Sequence, residues 1–165
     1  MNINTFVLVN NKLTIIKNKN MATAVGKKFP DLNVDAMNEM GDTFKLNVLE
    51  EAKNNKKVLL FWYPKDFTFV CPTELHAFQA ALGEFEKRNT IVIGASCDTP
   101  EVHFAWLSTP KDNGGIEGVT YSILADTNRN LSSILGILDI TNETFDEASQ
   151  TIQVEGDNVT YRATY

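Results

Sequence analysis

The chain has 165 residues, 43% of them hydrophobic and 10% aromatic, enough for one domain with a real core. A formal net charge of −6 argues against nucleic acid as a partner, because phosphate binding needs a basic face. Two cysteines do not make a secreted disulfide framework, and no apolar run reaches the roughly 18 residues of a membrane span; a soluble, cytoplasmic protein is expected.

The first twenty residues stand apart, with six Asn, three Lys and no acidic residue. Their apolar pieces, 6–9 and 13–16, are parted by Asn10-Asn11-Lys12, and the basic residues follow the first piece. That order suits neither a signal peptide nor a transit peptide. Residues 1–20 are read as an extension, disordered or not translated, ahead of a single domain at 21–165. A small hairpin across Asn10-Asn11 is the alternative.

Residues 29–34 and 43–46 surround Asn38-Glu39-Met40-Gly41-Asp42 as an N-terminal hairpin. Residues 58–63 form a short continuous apolar run, the pattern of a strand buried on both faces. Leu75, Phe78, Leu82 and Phe85 then recur at helical spacing. A second buried strand is expected at 91–95, and Thr99-Pro100-Glu101 opens a helix through His103, Trp106 and Leu107. Residues 121–125 read as a third strand, 131–138 as a short helix stopped near Gly136, and 151–154 with 159–165 as a closing hairpin around Gly156-Asp157-Asn158.

This alternation implies an α/β sandwich: a mixed central sheet, parallel at its centre and antiparallel at its edges, with helices on both faces. Ligand sites in such sheets gather at the carboxyl ends of the strands. Cys71, after the first strand, and Cys97, after the second, both fall on that rim.

The segment Pro64-Lys65-Asp66-Phe67-Thr68-Phe69-Val70-Cys71-Pro72-Thr73-Glu74-Leu75 puts one cysteine between an aromatic strand and a helix start. With Pro72 as the first helical residue, Cys71 becomes the N-cap, its sulfur facing unpaired backbone donors and the positive end of the helix dipole. A thiolate is favoured there. His76 and His103 bring the count to two Cys and two His, but their spacings are not those of zinc ribbons or fingers, so no metal is expected.

The chain resembles the peroxiredoxins of the alkyl hydroperoxide reductase C, two-cysteine type. Pro64, Thr68 and Cys71 match the family's Pro-x-x-x-Thr-x-x-Cys signature, and the likeness runs from Gly26-Lys27-Lys28-Phe29-Pro30 through Ser96-Cys97-Asp98, His103-x-Ala105-Trp106 and Leu124-Ala125-Asp126 to Arg162-Ala163-Thr164. The resemblance implies a thioredoxin-like fold and a thiol-dependent peroxidase acting on hydrogen peroxide and small organic hydroperoxides, without a cofactor. It implies Cys71 as the nucleophile, with Thr68, the Cys71 backbone N–H and Arg162 holding the peroxide. Pro64 would shape the loop and Glu74 would orient the arginine.

Ionisation alone does not explain such chemistry. Lowering a thiol from pKa ~8.5 to ~6 raises the thiolate fraction about thirtyfold at neutral pH. The accompanying fall in nucleophilicity takes back roughly tenfold. The rest must come from donors that hold the peroxide oxygens and stabilise charge on the leaving one.

The resemblance further implies homo-oligomers, with ring contacts near Phe67 and Phe69, and a thioredoxin-like or flavoprotein disulfide reductase as reductant. It also implies a resolving cysteine in a C-terminal segment beyond Tyr165, expected here to be missing. An external thiol and Cys97 are the two candidates to resolve oxidised Cys71. A non-catalytic or chaperone-like fragment is the alternative function.

Overall fold

The computed structural model describes residues 5–9, 12–16, 26–53, 56–140, 142–146 and 148–165. Two strands, β1 (Thr5–Val9) and β2 (Lys12–Ile16), pair antiparallel with Thr5 opposite Ile16. Next come β3 (Asn33–Met37), β4 (Thr43–Asn47), α1 (Val48–Glu51), β5 (Lys57–Trp62), α2 (Cys71–Ala80) and α3 (Leu82–Glu86). The remaining elements are β6 (Thr90–Ser96), α4 (Pro100–Leu107), β7 (Ile123–Ala125), α5 (Asn130–Leu135), β8 (Asn142–Asp146), β9 (Thr151–Glu155) and β10 (Ala163–Thr164).

Six strands form the main sheet in the order β10-β5-β6-β7-β3-β4. β5, β6 and β7 are parallel, and the pairs on either side of them are antiparallel. This is the mixed sheet expected from the alternating strand and helix patterns. β1, β2, β8 and β9 form a separate four-stranded sheet.

Side chains alternate across β5 and divide the core in two. Leu60 and Trp62 join Ile93, Ala95, Leu131 and Leu135 on the α5 face. Phe61 and Tyr63 join Cys71, Leu75, Trp106 and Leu107 on the face carrying α2 and α4. Local signals end the helices as read: Thr99 Oγ1 accepts from Val102 N at the start of α4, and Gly136 takes φ 70° after α5.

The closing hairpin is not formed as expected. β9 pairs with β8, and the last strand crosses to β5, with Ala163 opposite Trp62. The turn chemistry at Gly156-Asp157-Asn158 instead serves the neck of an excursion. There Asn158 N donates to Asp139 O at 3.2 Å, Asp139 N donates to Val159 O at 2.8 Å, and Leu138 bridges Thr160. Beyond this neck the chain returns to the main sheet and delivers Arg162 beside α2.

Candidate active site at the head of helix 2

β5 ends where Tyr63 N donates to Ala95 O at 3.0 Å, so the strand's carboxyl end is locked to β6. A seven-residue loop, 64–70, leads from there to α2. Pro64 heads it, half-buried. Phe67, Phe69 and Val70 are exposed, whereas Asp66 is only 3% accessible.

Cys71 is the first residue of α2 rather than its cap. Val70 precedes it with φ −100° and ψ −41°, already in the right-handed helical region, and Thr73 donates to Val70 O through both its N–H and its hydroxyl. The helix therefore begins one residue earlier than proline suggested, with Pro72 at its second position. A proline is tolerated there because the first four N–H groups have no partner inside the helix. The positive end of the helix dipole still bears on the sulfur.

The sulfur's partner comes from far along the chain. Arg162 Nη2 donates to Cys71 Sγ at 3.4 Å, while its Nε donates to both Glu74 oxygens at 2.9 and 3.2 Å. Glu74 first, and the Cys71 sulfur after it, hold the Arg162 guanidinium above its ordinary pKa. Cys71 is buried, and the Arg162 and Glu74 side chains are 45% and 38% exposed. A guanidinium suits this place because it stays charged and presents several donors in a fixed fork. Thr68 lies in the loop, where its hydroxyl donates to Lys65 O at 3.3 Å.

The sequence reading missed the polar group beneath the loop. The Asp66 carboxyl group accepts from Tyr63 OH at 2.8 Å and meets His103 Nδ1 at 2.7 Å, with both side chains of the His103 pair essentially inaccessible. His103 Nε2 faces Leu124 O at 3.2 Å, and since a carbonyl only accepts, Nε2 carries a proton. One proton is then shared along the Nδ1–Oδ2 line. Burial pushes the Asp66 carboxyl up, against the opposing pull of His103. Burial, then Asp66, pushes the Tyr63 hydroxyl up. The available signal was His103 itself, standing with Trp106 and Leu107 on the stripe that α4 buries; a buried imidazole requires partners.

Cys97 ends up elsewhere. It follows directly after β6, and its sulfur lies 3.7 Å from Ser132 Oγ of α5, the helix that covers Ile93 and Ala95. Cys71 packs on the opposite face, so the two sulfurs share a rim but not a side of the sheet. Both are free thiols. Burial pushes the Cys97 thiol up. His76 bonds Gly115 O at 3.2 Å through Nε2, a packing role that ties α2 to the connection after α4.

A family model described as the AhpC/TSA family matches residues 25–165. The chain belongs to that family. It is 44% identical over 114 residues to Peroxiredoxin-2 of Bos taurus, covering 69% of this chain and 56% of that protein. It is 41% identical over 117 residues to Alkyl hydroperoxide reductase C of Helicobacter pylori, covering 69% and 58%. Among solved structures, the reduced 2-Cys peroxiredoxin of Plasmodium vivax superposes with a TM-score of 0.66 at 31% identity, covering 81% of this chain and 86% of that one. The chain thus has the thioredoxin-like peroxiredoxin fold, and it spans little more than half the length of the two curated relatives.

Proposed function

We propose that this chain is a thiol-dependent peroxidase that reduces hydrogen peroxide and small organic hydroperoxides through Cys71. The observation carrying this reading is the Arg162 guanidinium, held by Glu74 and donating to the Cys71 sulfur. A buried structural cysteine has no use for a charged donor that costs a side chain's freedom to place.

In the reaction, the Cys71 thiolate attacks one oxygen of the peroxide. An S–O bond forms as the O–O bond breaks, and the leaving oxygen takes a proton and departs as water or an alcohol. Cys71 is left as a sulfenic acid. Arg162, the Cys71 backbone N–H and the Thr68 hydroxyl hold the two oxygens, and Arg162 stabilises the charge that grows on the leaving one. Glu74 orients Arg162, and Pro64 shapes the loop that keeps bulk water from the sulfur.

An external thiol, from a thioredoxin-like or flavoprotein disulfide reductase, returns Cys71 to the thiolate. The opposed placement of Cys97 supports this over an intrachain disulfide, which requires Cα atoms within ~7 Å. The working form is a homo-oligomer in the cytoplasm, a compartment that suits two free thiols. Residues 21–165 constitute the catalytic domain and 1–20 an extension outside it, in keeping with a family match that starts at residue 25.

Stopped-flow oxidation by hydrogen peroxide, comparing wild type with Cys71→Ser, tests the reading. The expected result is a second-order rate constant for Cys71 orders of magnitude above that of a free thiol. A rate no faster than a free thiol overturns it.

A further inference from the structure

The loop that carries Thr68 to Cys71 has one buried residue, Asp66, with exposed neighbours on both sides. Tyr63 and His103 hold the Asp66 side chain. That grip leaves the backbone undecided, because a carboxyl group can keep its partners while the chain turns about the bonds between it and the peptide. A separate contact fixes the peptide: Asp66 N donates to Asp98 Oδ2 at 2.9 Å.

Asp98 is well placed to act as an anchor. The same Oδ2 accepts from Ser96 Oγ at 2.8 Å, and Asp98 N donates back to Ser96 Oγ at 3.0 Å. Ser96 is fully buried and ends β6, a central strand of the sheet. The tie therefore runs from a central strand of the sheet to the loop through two short side chains.

The N–H of Asp66 and the C=O of Lys65 belong to one planar peptide, and in a trans peptide they point in opposite directions. No peptide in the described chain is cis. Lys65 O is the acceptor for the Thr68 hydroxyl at 3.3 Å. Aiming the N–H at Asp98 thus aims the carbonyl at Thr68. Between them, Phe67 takes φ 53°, a left-handed conformation that a bulky residue keeps only where its surroundings insist on it.

We propose that Asp98 is a positioning residue for peroxide reduction, orienting the Thr68 hydroxyl through the single peptide between Lys65 and Asp66. This rests on the peroxidase reading above. The Asp98 carboxylate bonds Asp66 N and Ser96 Oγ, so it acts through Thr68 and not on the reacting atoms.

The test compares Asp98→Ala, Asp98→Asn, Thr68→Val and the double variant Asp98→Ala with Thr68→Val. Two rates are read for Cys71: oxidation by hydrogen peroxide, and alkylation by iodoacetamide, which needs the thiolate but not the oxygen-holding donors. Asp98→Ala is expected to slow oxidation about 10- to 100-fold, the range for a displaced reacting group, with alkylation changed less than about threefold. Asp98→Asn keeps an acceptor oxygen and recovers most of the loss. The double variant is no slower than Thr68→Val alone within about twofold, because residues acting along one line are not additive. Should Asp98→Ala not fold, Ser96→Ala, which frees the Asp98 carboxylate, takes its place with a smaller loss of the same kind. Fast wild type with an unchanged Asp98 variant, an equal loss in both rates, or additive losses in the double variant each overturn this inference alone. A wild type no faster than a free thiol overturns the peroxidase reading instead, and this inference falls with it.

Discussion

Arg162 reaches Cys71 across 91 residues of sequence, and it arrives with its Nε already committed to Glu74. The fork is divided, with one nitrogen for orientation and another for the sulfur. Replacing Arg162 with Ala should lower the peroxide rate constant by about 10²- to 10³-fold, the cost of losing a donor aimed at developing charge. Glu74→Gln keeps an acceptor for Nε but loses its charge, so a loss of about tenfold is expected. Stopped-flow oxidation of Cys71 reads both, and a Glu74→Gln rate equal to wild type would remove orientation from the account of this pair.

The buried Asp66–His103 pair gives stability a pH dependence. Burial raises the Asp66 carboxyl above its unfolded value, so the folded state binds its proton more tightly than the unfolded state does. Its contribution is full below about pH 4 and declines as pH rises from there through the raised folded value. Asp66→Asn cannot titrate, and urea midpoints between pH 4 and 7 should show a flatter profile for it than for wild type. Truncating the partner is harsher: His103→Ala leaves a buried carboxyl without its mate and is expected to cost about 3–5 kcal/mol.

The fold was legible wherever its cause is local. The apolar runs behind β5 and β6, the Thr99-Pro100 start of α4 and the Gly136 stop of α5 act within a few residues, and each element lies where those residues put it. The one-residue shift at Cys71 is a local misreading, because proline is compatible with more than one position in a first helical turn. The closing hairpin failed for a different reason. Its turn residues are real, but the partner of Ala163 is Trp62, 101 residues away, and nothing in a turn announces a distant edge. The same holds for the site. Asp66, Asp98 and His103 are separated by 32 and 37 residues from their partners and meet only in the folded chain. Arg162 could be named beforehand only through the family resemblance.

Cys97 should behave as a bystander. Burial keeps its proton on, so its thiolate is scarce until pH climbs past the ordinary thiol value near 8.5. Iodoacetamide at pH 7.5 is expected to label native Cys71 well before Cys97, with mass spectrometry of the digested protein as the readout. Because the folded value is raised, the Cys97 contribution to stability is complete below about pH 8.5 and lost above it. Cys97→Ala should leave Cys71 oxidation within about twofold, and one equivalent of peroxide should yield no Cys71–Cys97 disulfide on a non-reducing mass measurement.

Two glycines should respond to alanine with opposite signs. A Cβ on Gly115 would lie 1.9 Å from the Thr109 carbonyl oxygen, a backbone atom with no side-chain rotation to relieve the clash. Gly115 also accepts from His76, and its neighbour Gly114 accepts from Trp106 Nε1, so the displaced segment is the one that braces α2. Gly115→Ala should therefore cost about 1–3 kcal/mol and raise amide exchange along α2 as the brace loosens. Gly83, in α3, has open space where its Cβ would stand and an ordinary helical backbone. Gly83→Ala should stabilise by about 0.4–1 kcal/mol, chiefly by restricting the unfolded chain. Urea midpoints that move the same way for both variants would contradict the packing described around Gly115.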